Sequence, residues 1–252
     1  MESKNLIIIV AVVIVAALAL WGVSRVAKAP QNISNGNSNV NMDNSQANNS
    51  ANSNANANTE PASLGCTRDF NPEVLKEAKA PTEQFVTFTV KDFGTFKIQL
   101  YPKDAPKASE NMTRLVKAGY YNCITFHRVA HGFVIQTGDP TRTGKGGDSA
   151  FGKEFADELN PATPSFKTGY VKGIVAMANP ARPNANTSQF FITLNDLNTS
   201  LGKNYTIFGK VVSGQEVVDK IGQVEVEPGP FGSGDGAPLK PVVIEKAVLS
   251  AK

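Results

Sequence analysis

Phe126-His127-Arg128-Val129-Ala130-His131-Gly132-Phe133-Val134-Ile135-Gln136-Thr137-Gly138-Asp139 is the stretch on which the reading of this chain turns. Two strand-like runs, Ile124 to Val129 and Phe133 to Thr137, flank Gly132, and side chains two apart on a strand share a face. On that parity Phe126 lies with Arg128, Val134 lies with Gln136, and Phe133 joins Ile135 on the other side. A guanidinium always carries charge and several donors, so an Arg beside aromatic walls suits gripping a carbonyl in an apolar cleft. The plainer alternative is a sheet whose Arg points into water.

Further residues tip that balance. Downstream stand Met177-Ala178-Asn179, then Ser188-Gln189-Phe190-Phe191-Ile192, then Phe208-Gly209-Lys210-Val211. With Phe126-His127-Arg128 and Gly132-Phe133, in this order and at these spacings, the chain resembles the cyclophilins, which are peptidyl-prolyl cis–trans isomerases. The resemblance runs from roughly Gln84 to Ala251. It implies a closed eight-stranded antiparallel barrel with a helix over each end, a packed interior and a site on the outer face. It also implies Arg128 as the catalytic donor to the prolyl amide and its neighbouring carbonyl. Phe133, Val134, Phe191, Leu201 and Tyr205 match the walls of a proline pocket. Gln136 and Gln189 match amides that orient the peptide. The backbone at Asn179, with Ala178 beside it in the substrate-binding set, matches an edge on which the peptide pairs. Departures accompany the match: Val134 stands where many relatives have Met, and Tyr205 replaces a common His. Ser200 falls near a frequent Trp, and Pro180-Ala181-Arg182-Pro183 makes the link after Asn179 one residue longer.

The chemistry asked of such a site is modest in parts and large in barrier. Rotation about X–Pro meets about 18–20 kcal/mol, and spontaneous exchange takes tens to hundreds of seconds. No nucleophile, metal or cofactor is needed. The twisted amide loses resonance, its nitrogen becomes pyramidal, and a donor that binds that state better than the planar ones accelerates the reaction. Each ~1.36 kcal/mol of such preference is tenfold in rate.

The region before the resemblance must be read on its own. Leu6 to Val23 carries no charge and has no polar face. Eighteen residues of helix span about 27 Å, close to the ~30 Å of a hydrocarbon core, so residues 1–29 read as a membrane anchor with 6–23 spanning. Ala27-Lys28-Ala29 has the form of a cleavage site, but Pro30 follows at once, and an uncleaved anchor fits better. Lys4 on one side and Arg25 and Lys28 on the other leave orientation nearly balanced by charge. A tethered domain of this layout is expected outside the cytoplasm. Residues 30–62 are dominated by Asn, Ser and Ala, too polar to offset chain entropy, and read as a disordered linker; Asn-rich self-association is the alternative. Residues 63–83 form a leading segment in which Asn71-Pro72-Glu73 caps a short helix.

Residues 84–251 then make the folded domain. Phe85–Val90 and Thr95–Leu100 alternate around Asp92-Phe93-Gly94 as a hairpin. Ala105, Ala108, Met112, Leu115 and Val116 keep helical spacing from Pro106 until Gly119. Residues 139–152 are a glycine-rich loop without the ordered ending of a phosphate cradle. Tyr170–Met177, Gln189–Thr193, Ile207–Val212 and Val242–Leu249 read as strands, and Gly214–Ile221 as a second helix. Seven or eight strands without strand–helix alternation argue for an all-β barrel.

Among 252 residues the net charge of +3 is small and its basic residues are scattered, so no nucleic-acid groove is expected. The expected partners are proline-containing polypeptides and, through the N-terminal helix, a membrane, with the protein otherwise monomeric. The two cysteines, Cys66 and Cys123, are either free thiols or a clip of the leading segment onto the domain. Cys123, His127 and His131 have a metal-like spacing, but they span a strand and a turn and lack a fourth ligand, so zinc is not favoured. A proline-binding or chaperone module with little catalysis is the rival from another class. Retention of Arg128 argues against it, because binding alone needs only the pocket.

Overall fold

A computed structural model describes residues 64–76, 85–229 and 232–250. The anchor, the linker and residues 77–83 of the leading segment lie outside the described residues. Among the described residues, no helix is long and apolar enough to cross a membrane.

Alternation drives the opening hairpin. Strands β1 (Phe85–Val90) and β2 (Gly94–Leu100) bury every second residue, Val86, Phe88 and Val90 facing Phe96, Ile98 and Leu100. The other strands are β3 (Ile124–Thr125), β4 (Arg128–Ala130), β5 (Val134–Thr137), β6 (Ile174–Met177), β7 (Phe190–Thr193), β8 (Ile207–Ser213), β9 (Asp235–Gly236) and β10 (Val243–Ser250). All pair antiparallel in one sheet of order β3-β10-β1-β2-β8-β6-β7-β5-β4-β9.

This corrects the expected closed eight-stranded barrel. The described residues form a ten-stranded half-barrel whose edges are β3 and β9, with no ladder joining them. The run read as one strand, Ile124 to Val129, is broken at Phe126 and His127 into β3 and β4. Those pieces lie at opposite ends of the strand order, yet only three peptide steps, at most about 11 Å, separate Thr125 from Arg128. The sheet must therefore curl far enough to bring β3 near β4 and β5, and Thr137 Oγ1 donates to the Thr125 carbonyl across that gap at 2.8 Å.

The break also overturns two parity expectations. Phe126 turns into the main core with Val129, while Arg128 faces outward. Phe133 sits in the turn before β5, and it packs with Val134 instead of sharing a face with Ile135. Strand parity holds only while the ladder is unbroken.

Helix α1 (Pro106–Lys117) buries Ala108, Met112, Leu115 and Val116 in the main core. Ala105 offers no side-chain cap, and the Glu158 carboxylate substitutes, accepting from the Lys107 and Ala108 amides at 2.9 Å. At the other end Gly119, at φ +72°, lets the Tyr120 amide reach the Leu115 carbonyl at 2.9 Å. A five-residue helix, α2 (Pro164–Thr168), stands in addition to the two expected over the domain; Thr163 caps it through the Phe166 amide. Helix α3 (Gln215–Ile221) packs Val217, Val218 and Ile221 into the core. The strand expected from Tyr170 starts only at Ile174, after the turn at Gly173, φ +82°.

The leading segment is strapped to the body. A disulfide joins Cys66 to Cys123, with Cα atoms 5.9 Å apart, which resolves the thiol alternative. Arg68 lies over the rings of Phe70 and Tyr120 at 5.1 and 4.5 Å and donates to the Tyr120 carbonyl. Asn122 donates to Asp69 at 2.7 Å, and the Asn71 amide to the Ala118 carbonyl at 2.8 Å. Asn71 does cap Glu73, but the helix that follows, Pro72–Lys76, is a single 3-10 turn.

Candidate active site

Four strands present both of their faces to apolar clusters, and the outer face carries the candidate site. Val129, Ile135, Ile192 and Val175 point into the main core. Their neighbours Ala130, Val134, Phe191 and Ala176 point the other way, into a second cluster roofed by loop residues Tyr170, Leu197 and Leu201. Ladder register aligns Arg128 opposite Gln136, Gln136 opposite Phe191, and Phe191 opposite Ala176. Such directly opposed side chains lie about 5 Å apart at Cβ. A cation, an amide and an aromatic ring thus stand in one row across the outer face.

Phe133, Val134, Phe191, Leu201, Tyr205 and Ala178 all belong to this outer cluster. Phe191 and Tyr205 meet edge to face, 5.5 Å between centroids. Tyr205 is fixed from behind, because its backbone amide and carbonyl both bond the Tyr170 hydroxyl, at 3.0 and 2.9 Å. Burial raises the Tyr205 hydroxyl above its ordinary pKa, with the Arg128 cation opposing, so the phenol stays protonated.

The polar side is a relay of amides. Arg128 Nη1 donates to Gln136 Oε1 at 3.4 Å, Gln136 Nε2 to Gln189 Oε1 at 3.0 Å, and Gln189 Nε2 to the Gly146 carbonyl at 2.7 Å. Each amide spends one end on its neighbour, which fixes its plane. Beside Gln136 and Gln189 opens a cleft of about 450 Å3, bounded by Gly144 to Ser149 of the glycine-rich loop and by Ala178, Asn179 and Pro180. Charge lines its mouth in Lys145, Asp148, Lys153 and Glu154. Ala178 donates its amide to the Gln189 carbonyl at 2.9 Å, and Asn179 Oδ1 accepts from the Ala181 amide at 3.1 Å. In the longer link, Ala181 takes φ +56°, and Arg182 reaches across to Glu154 at 2.5 Å.

One participant lies outside the expected set. Asp235, on β9, accepts from Arg128 Nε and Nη2 at 2.7 Å each, a two-pronged fork. In sequence it stands in Gly232-Ser233-Gly234-Asp235-Gly236, where an acid between glycines signals a turn and nothing more.

The histidines and cysteines do not converge. Cys123 is held by Cys66, and His131 Nε2 lies 2.8 Å from the Val224 carbonyl. His127 is buried, and burial, helped by Arg128 against the Asp139 carboxylate, pushes it down to about 4. Among the described residues no group of three His, Cys, Asp or Glu side chains is placed to hold a metal ion. The arrangement offers a directed cationic donor over an apolar floor, with amides alongside to align an extended chain.

Comparison with known proteins gives this geometry its family. The family described as "Cyclophilin type peptidyl-prolyl cis-trans isomerase/CLD" matches residues 85–249. The chain is 46% identical over 155 residues to the peptidyl-prolyl cis-trans isomerase ppi1 of Schizosaccharomyces pombe, covering 62% of this chain and 92% of that protein. It is 46% identical over 132 residues to a peptidyl-prolyl cis-trans isomerase-like 1 of Aspergillus fumigatus, covering 52% and 78%. A crystal structure of a Cryptosporidium parvum cyclophilin type peptidyl-prolyl cis-trans isomerase superposes with TM-score 0.59 at 35% identity, over 68% of this chain and 99% of that one.

Proposed function

The chain belongs to the cyclophilin-type peptidyl-prolyl cis–trans isomerases, and on that premise we propose that Arg128 is the donor that lowers the barrier to X–Pro rotation. The observation that carries this reading is the outward row of Arg128, Gln136 and Phe191 beside the apolar cluster. The substrate proline rests on Phe133, Phe191, Leu201 and Tyr205, with Val134 closing the side. Held there, the ring is the fixed half of the amide. The preceding residue turns about it, aligned by Gln136, Gln189 and the edge at Ala178 and Asn179, while its neighbours enter the 450 Å3 cleft. Arg128 then donates to the nitrogen as it becomes pyramidal. A donor of this kind contributes about 2.7–4 kcal/mol when it acts in the transition state alone.

The wider assignment extends the same reading. Residues 6–23 anchor the protein in a membrane, 30–62 tether it, 63–83 lead into the domain, and 84–251 work as a monomeric isomerase on proline-containing polypeptides near the bilayer, assisting their folding. The uncharged length of 6–23 supports the anchor. The Cys66–Cys123 disulfide supports an extracytoplasmic domain, since such bonds persist in oxidising compartments. Loss of membrane retention on deleting residues 6–23 is the expected result; retention without them would remove the anchor.

The catalytic reading is tested with the full chain in detergent and an Ala-Pro peptide, following cis–trans exchange of the peptide by NMR. Arg128→Ala is expected to slow exchange severely while peptide binding persists. Equal acceleration by both proteins would show that Arg128 is not the donor.

A further inference from the structure

The fork between Asp235 and Arg128 is supplied by a hairpin that has little intrinsic order. Residues 225–240 contain Pro228, Gly229, Pro230, Gly232, Gly234, Gly236 and Pro238, a composition that forms neither helix nor regular strand on its own. The fold nevertheless pins it at both ends. Glu227 donates its amide to the Ala237 carbonyl at 2.8 Å and Leu239 to Glu225 at 2.9 Å. The His131 amide donates to the Gly234 carbonyl at 2.7 Å, and its ring meets the Val224 carbonyl at 2.8 Å. Strand β9 then pairs with β4, Asp235 opposite Ala130 and Gly236 opposite Val129. Gly236 is required there, because a Cβ would run into the Glu227 carbonyl oxygen.

Backbone pairing and the His131 ring therefore hold the hairpin, and the Asp235 carboxylate is left over for another task. It is spent wholly on Arg128. Binding Nε and Nη2 together locks the guanidinium plane, because the group is rigid and planar. With that plane set, Nη1 has one direction, along the row toward Gln136. The pair is neither deep nor loose, with 30% of the Arg128 and 17% of the Asp235 side chain exposed. An arginine without such a partner samples several rotamers and must be ordered each time the amide twists.

We propose that Asp235 is a positioning residue for the isomerisation: it holds the Arg128 guanidinium pre-aimed at the twisting prolyl amide and acts only through Arg128. This rests on the assignment of Arg128 as the donor. It goes beyond that assignment by making the glycine- and proline-rich hairpin part of the catalytic apparatus.

The test uses the full chain and an Ala-Pro peptide, with exchange measured across peptide concentrations so that kcat and KM separate. Asp235→Ala is expected to lower kcat about tenfold, the scale of a modest orientation loss, with KM within about twofold. Asp235→Asn, which keeps the shape and one acceptor, is expected to recover part of that loss. The Arg128 side-chain Nε–Hε resonance is expected to stand apart in the parent protein, and it should broaden or shift toward exposed arginine values in Asp235→Ala. In an Arg128→Ala background, Asp235→Ala should change nothing further. A kcat within twofold of the parent in both Asp235 variants overturns the proposal, as does an equal loss in the Arg128→Ala background. If Arg128→Ala alone retains the parental rate, the donor assignment fails, an outcome readable without any Asp235 variant. Should Asp235→Ala fail to fold, Asp235→Asn and its double variant with Arg128→Ala decide the matter by the same criteria.

Discussion

Phe190 and Phe191 are neighbours on one strand and belong to different chemistries. Phe190 is fully buried among Phe88, Tyr121 and Phe208, meeting the last two edge to face, in the interior of the half-barrel. Phe191, one step on, lies on the outer face with Gln136 opposite and Tyr205 against its edge. The inner face is closed by side chains from nine of the ten strands and from α1 and α3, whereas the outer face is covered mainly by loop residues and bordered by Arg128. Two apolar faces on the same four strands thus divide the labour: one holds the fold, the other is the face to which the proline pocket is assigned under the proposed function.

That division can be broken deliberately. Phe190→Ala should destabilise the protein by about 3–5 kcal/mol, read as a lowered denaturation midpoint, because the emptied space is ringed by aromatic side chains that cannot collapse into it. Arg128→Ala should instead cost activity, about 10²–10³-fold in kcat, with stability changing by less than about 2 kcal/mol. If the two variants gave the same profile, the faces would not be separate in function.

Acid probes the seam where the faces meet. His127 sits at the break between β3 and β4, and neither ring nitrogen finds a hydrogen-bond partner among the described residues. Burial lowers it to about 4 from 6.5, so between those values the unfolded chain takes up a proton that the folded one refuses. Its contribution is therefore fully present above pH 6.5 and is lost as pH falls toward 4, on the order of 3 kcal/mol in all. Asp139, whose burial is outweighed by bonds from Thr141 and Gly146, is held below its ordinary value and adds a loss only below about 3.8. Denaturation midpoints across pH 4 to 7 should carry this slope, and His127→Gln should flatten it. A parent protein equally stable at pH 4 and 7 would show that His127 is not buried as a neutral group.

The smallest effect sharpens the comparison most. Phe191→Leu should weaken Ala-Pro peptide binding up to about tenfold, the scale of a reshaped apolar pocket. Phe190→Leu, at the adjacent position, should leave affinity unchanged and lower the denaturation midpoint. Titration by NMR and a denaturation curve on each protein distinguish them.

Most of this architecture can be read from spacing, because local periodicity carries it. The β1–β2 hairpin, α1 and the β7 and β8 runs announce themselves through alternation or helical spacing within each segment. The row of site residues is legible only through the family resemblance, which links motifs about sixty residues apart. What stays hidden depends on contacts distant in sequence. The break at Phe126 and His127 exists because β3 must join β10 while β4 joins β5, a demand invisible within the segment itself. Phe133 turns outward because the chain is still in a turn there. The disulfide brings together cysteines 57 residues apart, and Asp235 meets Arg128 across 107. Neither distance leaves a local trace.

The pairing of β1 with β10 sets an order of events during synthesis. Phe85 faces Ser250 and Val90 faces Ile244, so β1 waits about 150 residues for its second partner. At roughly 5–20 residues per second that is about eight to thirty seconds on the ribosome. Through this interval the β1–β2 hairpin has one ladder made and one edge open, with Val86 and Phe88 lacking half of their cover. The β3 segment waits on the same strand. Nascent chains of this protein therefore pass through a stage in which a hydrophobic strand edge is available to other chains, and arrival of Val243–Ser250 ends it.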